Sequence, residues 1–175
     1  WVSLAFSGTT PYVAYKDHGN GTKATVMKFN GTGWVNVGTA GFSAGQVEFT
    51  SLAFSGVTPY LAYKDHANGT KATVMKFDGT NWVNVGVAGF SAGQAEWISL
   101  AFSGTTPYVA HTDFFNANKA TVMTFDGANW TNGPSLPFTQ IAEQFCAADN
   151  ALFVGSSAGI YQQTGQRQPV GPPCH

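Results

Sequence analysis

Residues 15–18 read Tyr-Lys-Asp-His, and the same four letters return at residues 63–66, 48 positions later. A carboxylate beside an imidazole could ligate a metal or hydrogen-bond a pair of sugar hydroxyls. Adjacent residues on a strand point to opposite faces, so Asp17 with His18, or Asp65 with His66, is a poor chelate, and no metal site is expected. In the third copy the tetrad becomes His111-Thr112-Asp113-Phe114, which keeps the aspartate and loses the Asp-His pair. An aspartate at a strand end also accepts backbone N–H groups of the following turn. Asp17, Asp65 and Asp113 therefore carry two readings, ligand contact with Tyr15 and Tyr63 beside them, or turn closure. Trp34, Trp82 and Trp130 recur at the same spacing. Each could stack on a sugar ring, or fill the seam between neighbouring structural units.

Other chemistries lack their residues. Glycoside hydrolysis requires two carboxylates at a controlled separation, and most of the nine acidic residues simply follow the repeat. There is no G-x-S-x-G elbow and no phosphate loop or dinucleotide fingerprint. No catalytic residue and no cofactor is expected. Lys23, Lys71 and Lys119, with Lys28 and Lys76, read as solvated strand edges; the position of the last two becomes Thr124.

These residues sit in a repeat of 48. Ser-Leu-Ala-Phe-Ser-Gly begins at Ser3, Ser51 and Ser99, and residues 1–48 match 49–96 at all but nine positions. The third copy, from Trp97, has drifted, and a fourth, from about residue 141, aligns only with deletions. Each full copy carries four strand signals, VSLAFSG, PYVAYKD, KATVMKF and GWVNVG in the first. They are separated by Gly/Asn/Thr turns. Phe-Asn-Gly at Phe29 and Phe-Asp-Gly at Phe77 and Phe125 place a glycine where a tight hairpin needs positive φ. No segment shows a capped 3.6-residue period.

Four antiparallel strands per 48 residues, with a Trp near the last, predict an all-β fold, a β-propeller of about four blades or a fragment of a larger ring. A lone four-stranded sheet with two apolar faces cannot cover both, whereas stacked blades can. The expected domain is 1–175, with blades at about 1–48, 49–96 and 97–140, a shortened one at 141–165 and a tail at 166–175. The fourth copy lacks a counterpart of GWVNVG, so it offers an open edge for assembly with another chain.

Composition agrees with an extracellular setting. Charged residues are 10% of the chain against roughly 25% in ordinary soluble domains, and Gly is abundant at 21. The net charge of −1 and the absence of a basic run exclude a nucleic-acid footprint. No apolar stretch reaches the roughly 20 residues of a membrane span. The first residue is Trp1 and no signal peptide is visible, so a mature piece of a longer precursor is expected. Cys146 and Cys174 fit either a disulfide that staples the tail or two free thiols. Asn20, Asn30, Asn68 and Asn129 lie in N-x-[ST] sequons.

The stretches SLAFSGTTPYVAYKD, KATVMKFNGTGWVNVG and GFSAGQ resemble tandem propeller repeats of secreted and cell-surface proteins of bacteria and green algae, over about residues 1–130. The F-[DN]-G-x-x-W element resembles the blade motif of tectonin-type propeller lectins. The first resemblance implies a propeller outside the cell, and the second a sugar ligand. The sequence thus supports a non-catalytic scaffold or protein-interaction module, partnered by other chains, with a glycan-binding lectin as the alternative.

Overall fold

In the computed structural model, the residues described are 1–133, 144–148, 151–156 and 159–162. They form an all-β propeller. The first repeat folds as β1 (Val2–Ser7), β2 (Thr10–Asp17), β3 (Lys23–Phe29) and β4 (Trp34–Asn36), an antiparallel meander in that spatial order. The second gives β5 (Val47–Ser55), β6 (Thr58–Asp65), β7 (Lys71–Phe77) and β8 (Trp82–Asn84). The third gives β9 (Ala95–Ser103), β10 (Thr106–Asp113), β11 (Lys119–Phe125) and β12 (Trp130–Asn132). A three-stranded sheet follows, β13 (Gln144–Ala148), β14 (Ala151–Ser156) and β15 (Gly159–Gln162). These three strands fall within residues 141–165, where the sequence places a fourth unit. The expected pairing of Cys146 with Cys174, and the tail at 166–175, depend on residues outside those described.

Innermost strands of successive sheets lie against one another, β1 on β5, β5 on β9 and β9 on β13. Among the described residues, two inter-blade seams carry the buried core. Ala14, Ala24, Val26 and Val37 of the first blade meet Leu52, Leu61, Tyr63 and Trp82 of the second. Ala62, Ala72, Val74 and Val85 of the second meet Ile98, Leu100 and Val109 of the third. Both faces of the middle sheet are covered, which explains why its strands do not alternate cleanly between apolar and polar.

The glycines of the outer hairpins adopt the positive φ that their position suggested, +100° at Gly31, +106° at Gly79 and +102° at Gly127. The loop is longer than a two-residue turn. Asn30 N–H reaches Gly33 O at 3.0 Å, and the Asn30 side-chain oxygen accepts from Thr32 N and Gly33 N at 3.0 and 2.9 Å. Side-chain capping thus replaces the primed turn, as short polar residues commonly do in loops. Strands β5 and β9 begin at Val47 and Ala95, two residues ahead of the repeat boundary drawn from sequence. Each then bulges, and the bulge puts Phe49 and Trp97 at φ +50° and +51°.

Candidate functional site

The strands have two ends, and the repeated chemistry divides between them. At one end lie the β2–β3 turn and the chain's passage to the next blade. Asp17 caps the one-turn 3-10 segment His18–Asn20, accepting from Gly19 N at 3.0 Å, Asn20 Nδ2 at 2.8 Å and Thr25 Oγ1 at 2.7 Å. The hydroxyl of Thr25, followed by the side chain of Asn20, holds the Asp17 carboxyl below its ordinary range. Asp65 repeats the pattern with Ala67 N, Asn68 Nδ2 and Thr73 Oγ1 at 3.0, 2.8 and 2.9 Å, and Asp113 accepts from Phe115 N at 3.0 Å. Asp65 and Asp113 are buried. The geometry is that of turn closure, and it leaves no open carboxylate pair beside His18, which is exposed. Tyr63 is buried, with its hydroxyl 3.3 Å from Met75 Sδ, and Tyr15 meets Met27 Sδ in the same way at 3.5 Å.

An ion ladder runs across the blades at this end. Glu48 receives Lys16 at 3.5 Å, Lys64 at 3.7 Å and His66 Nε2 at 3.1 Å, and Lys64 also reaches Glu96 at 3.0 Å. Burial pushes the Glu48 carboxyl up, yet His66 and Lys16 together outweigh it and hold it below its usual value. His66 is thus a partner of Glu48 rather than of Asp65. Beside the ladder, the rings of Trp1, Phe49 and Trp97 meet at centroid distances of 4.1 and 5.3 Å, with Lys64 Nζ 5.5 Å from the Phe49 ring. Sequence reading missed this axial cluster; the 48-residue spacing of the three aromatics was its signal.

The tryptophans of the outer strands take unequal places. Trp82 is buried in the first seam, its Nε1 donating to Val37 O at 2.7 Å and its ring stacked on Phe42 at 4.5 Å and 7°. Trp130, partly buried, makes the same contacts in the second seam, with Val85 O at 2.7 Å and Phe90 at 4.3 Å. Trp34 is exposed. Trp82 and Trp130 hold blades together, and their rings are not offered to a sugar. Of the sequon residues, Asn20 and Asn68 donate their amides to the turn aspartates, while Asn30 and Asn129 sit in exposed outer loops.

The opposite end, where the β1–β2 and β3–β4 turns meet, carries concave surface. A groove of about 510 Å³ in the first blade is lined by Thr9, Thr10, Pro11, Tyr12, Lys28 and Phe29, with Asn30 and Gly31 at its rim. Its counterpart in the second blade, about 460 Å³, has Val57, Thr58, Pro59, Tyr60, Lys76 and Phe77, with Asp78 and Gly79. Strand register builds both, because Tyr12 pairs with Lys28 and Tyr60 with Lys76 across the β2–β3 and β6–β7 ladders. Tyr12 packs edge-on against Phe54 of the next blade at 4.9 Å, and Tyr60 against Phe102 at 4.9 Å, so each groove borders a seam. Backbone N–H groups of Asn81 and Thr80 hold Asp78 ionised to lower pH than an ordinary aspartate. The first groove thus carries Lys28 with a neutral Asn30, and the second carries Lys76 with an anionic Asp78. At the third, Thr124 replaces the lysine, and its hydroxyl lies 3.4 Å from Pro107 O. Nothing in the sequence marks Tyr12, Lys28, Tyr60 or Lys76 as a ligand contact; only the fold brings each Tyr-Lys pair to a concave rim.

Among the described residues no cluster of His, Cys, Asp or Glu could hold a metal, and no helix is long and apolar enough to cross a membrane.

No protein-family model and no curated protein sequence matches the chain. Its fold matches solved β-propellers. YjhT superposes with a TM-score of 0.64 at 14% identity, over 98% of this chain and 65% of its own. AofleA from Arthrobotrys oligospora gives 0.60 at 16% identity, over 92% and 52%. A fucose lectin from Kordia zhangzhouensis, solved with methyl-fucoside, gives 0.51 at 10% identity, over 76% and 97%. The chain thus spans about half the length of AofleA and just under two-thirds of YjhT.

Proposed function

We propose that this propeller is a non-catalytic, extracellular carbohydrate-binding module whose hairpin-end grooves each take a sugar ring. The observation that carries this is the groove's repetition, with the same Pro-Tyr, Lys-Phe and [Asn/Asp]-Gly lining in two blades. A pyranose presents hydroxyls around its edge and an apolar face of C–H groups. Each groove answers with a phenol and an ammonium side by side, and the phenol ring supplies the apolar face. Among the described residues, neither Lys28 nor Lys76 makes a hydrogen bond to the protein, so both ammoniums are available to a ligand's oxygens. The likeness of the fold to that of a fucose lectin adds support.

The grooves are open and shallow, so each site is expected to be weak, near millimolar, which corresponds to about −4 kcal/mol. Repetition compensates, because a multivalent glycan engaging several sites gains roughly 10²–10⁴ in avidity. The test is titration of a monosaccharide panel against the intact chain, followed by NMR shifts. Binding should perturb residues 9–12, 28–31, 57–60 and 76–79, and Tyr12→Ala with Tyr60→Ala should abolish it. No shift with any sugar at tens of millimolar, or shifts confined to the axial aromatics, would overturn the reading.

A further inference from the structure

The sheet of the first blade has one face covered by the second blade and one face uncovered. On the uncovered face Val2, Leu4, Phe6 and Trp34 are 71, 60, 58 and 46% exposed. One repeat later, Thr50, Leu52 and Trp82 stand at 9, 6 and 7%, and Leu100 in the third is at 5%. The side chains at the Leu and Trp positions are identical. Cover is what differs, and the two seams among the described residues show what the cover is made of.

At each seam the earlier blade supplies one element, Val-Gly-x-Ala-Gly-Phe, at Val37 to Phe42 and Val85 to Phe90. Its valine carbonyl accepts the Trp N–H at 2.7 Å, and its Phe ring stacks on the indole. Its first glycine, at φ +76° in Gly38 and +73° in Gly86, lets the indole approach. A Cβ there would stand 3.1 Å from Cδ1 of Trp82 or Trp130. The earlier blade's inner strand adds Ser3 and Ser51, whose hydroxyls accept from Leu52 N and Leu100 N at 3.0 and 2.9 Å. Trp34 has no such acceptor among the described residues.

We infer that the Val2–Leu4–Phe6–Trp34 face is the unpaired half of this same seam, and that its occupant is a further blade of the same repeat, joined ahead of the first blade and ending in Val-Gly-x-Ala-Gly-Phe. Both copies of that element in this chain are already engaged, by the second and third blades. After Asn132 the third repeat reads Gly-Pro-Ser-Leu-Pro-Phe instead. A second copy of the chain therefore brings no free partner element of the right sequence. The missing blade would also place a Tyr on Phe6, as Tyr12 lies on Phe54 and Tyr60 on Phe102. Each added repeat would bring one more hairpin-end groove. The inference stands on seam geometry and is independent of what the grooves bind.

The test is to extend the chain ahead of Trp1 with one copy of residues 1–48 and follow indole N–H exchange by NMR. In the 175-residue chain, Trp34 Nε1–H should exchange freely while Trp82 and Trp130 are protected. In the extended chain, Trp34 should slow at least ~100-fold, toward the Trp82 rate, as a hydrogen bond inside a stable unit does. Leu4→Asp should be silent in the original chain and should reverse that protection in the extended one. Three results would overturn the inference. Trp34 exchange is unchanged by the extension; or the extended chain unfolds or aggregates where the original is soluble; or the original chain already protects Trp34 as a dimer that Leu4→Asp dissociates, which makes a second copy the occupant.

Discussion

Removing the same side chain from two positions of the same repeat isolates what a seam contributes. Trp82→Ala deletes an indole buried between two blades, its stack on Phe42 and its bond to Val37 O. Truncating a buried Trp costs about 3–5 kcal/mol. Within that sum, an orphaned buried carbonyl accounts for about 1–3 kcal/mol and the lost aromatic pair for about 0.5–1.5 kcal/mol. A chain of this size loses about 2–4 °C of Tm per kcal/mol, so the variant should melt roughly 6–20 °C lower. Trp34→Ala removes the same atoms from an exposed face with no Nε1 acceptor among the described residues. It keeps only a tilted contact with Phe29 at 5.8 Å. Its cost should stay near the ±0.5 kcal/mol typical of surface changes. Thermal unfolding followed by near-UV circular dichroism reads both variants. Equal losses, or a larger loss for Trp34→Ala, would refute the claim that the tryptophans act through the seam.

Asp65→Asn should destabilise by about 1.5–3 kcal/mol, the worth of hydrogen bonds to a charged group, and urea unfolding measures it; Asp17→Asn, at the more exposed turn, should cost less. Asp17, Asp78 and Asp126 all have folded pKa values below ordinary, so their contribution is full above about pH 4 and is lost as pH falls through the folded values. His111 is buried, and among the described residues neither ring nitrogen has a hydrogen-bond partner of good geometry; burial lowers its folded pKa. The unfolded chain then takes the proton first, so stability should be full above about pH 6.5 and decline below it. His111→Tyr, which restores the repeat's own residue, should remove that decline in a Tm-versus-pH series. Finally, a carboxylated sugar titrated by NMR should shift the groove of Lys28 at lower concentration than that of Lys76, and Asp78→Asn should bring the two together.

The propeller was legible because its signals are local and recur three times. Turn glycines, short β-branched runs and a Trp at fixed spacing each specify a hairpin or an outer strand without reference to the rest of the chain. The aspartates were half-legible, since a strand-end Asp carries its turn-closing chemistry within eight residues, as Asp17 does with Thr25. The grooves were not. Tyr12 and Lys28 lie sixteen residues apart, and only the β2–β3 register sets them side by side. Nor could sequence separate Trp34 from Trp82, because identical letters in identical repeats differ only in whether another blade lies against them.

The blades divide their labour position by position. The residues that build the seams, Val37, Gly38, Phe42 and Trp82, have the same letters where they recur at Val85, Gly86, Phe90 and Trp130. The groove's frame is equally constant, with Pro11, Tyr12, Phe29 and Gly31 repeated as Pro59, Tyr60, Phe77 and Gly79 and again as Pro107, Tyr108, Phe125 and Gly127. Change falls on the groups that set charge: Lys28, Lys76 and Thr124 on one side, Asn30, Asp78 and Asp126 on the other. Counting those two positions alone, the three sites run from net positive through neutral to negative. An outer loop can make that exchange without strain, because Asn30 and Asp78 cap it with the same two backbone N–H bonds whether or not they are charged. A packing seam has no such freedom. If the grooves take sugars as proposed, a fold built this way would grade its affinity for charged ligands from blade to blade while every blade still fits its neighbour.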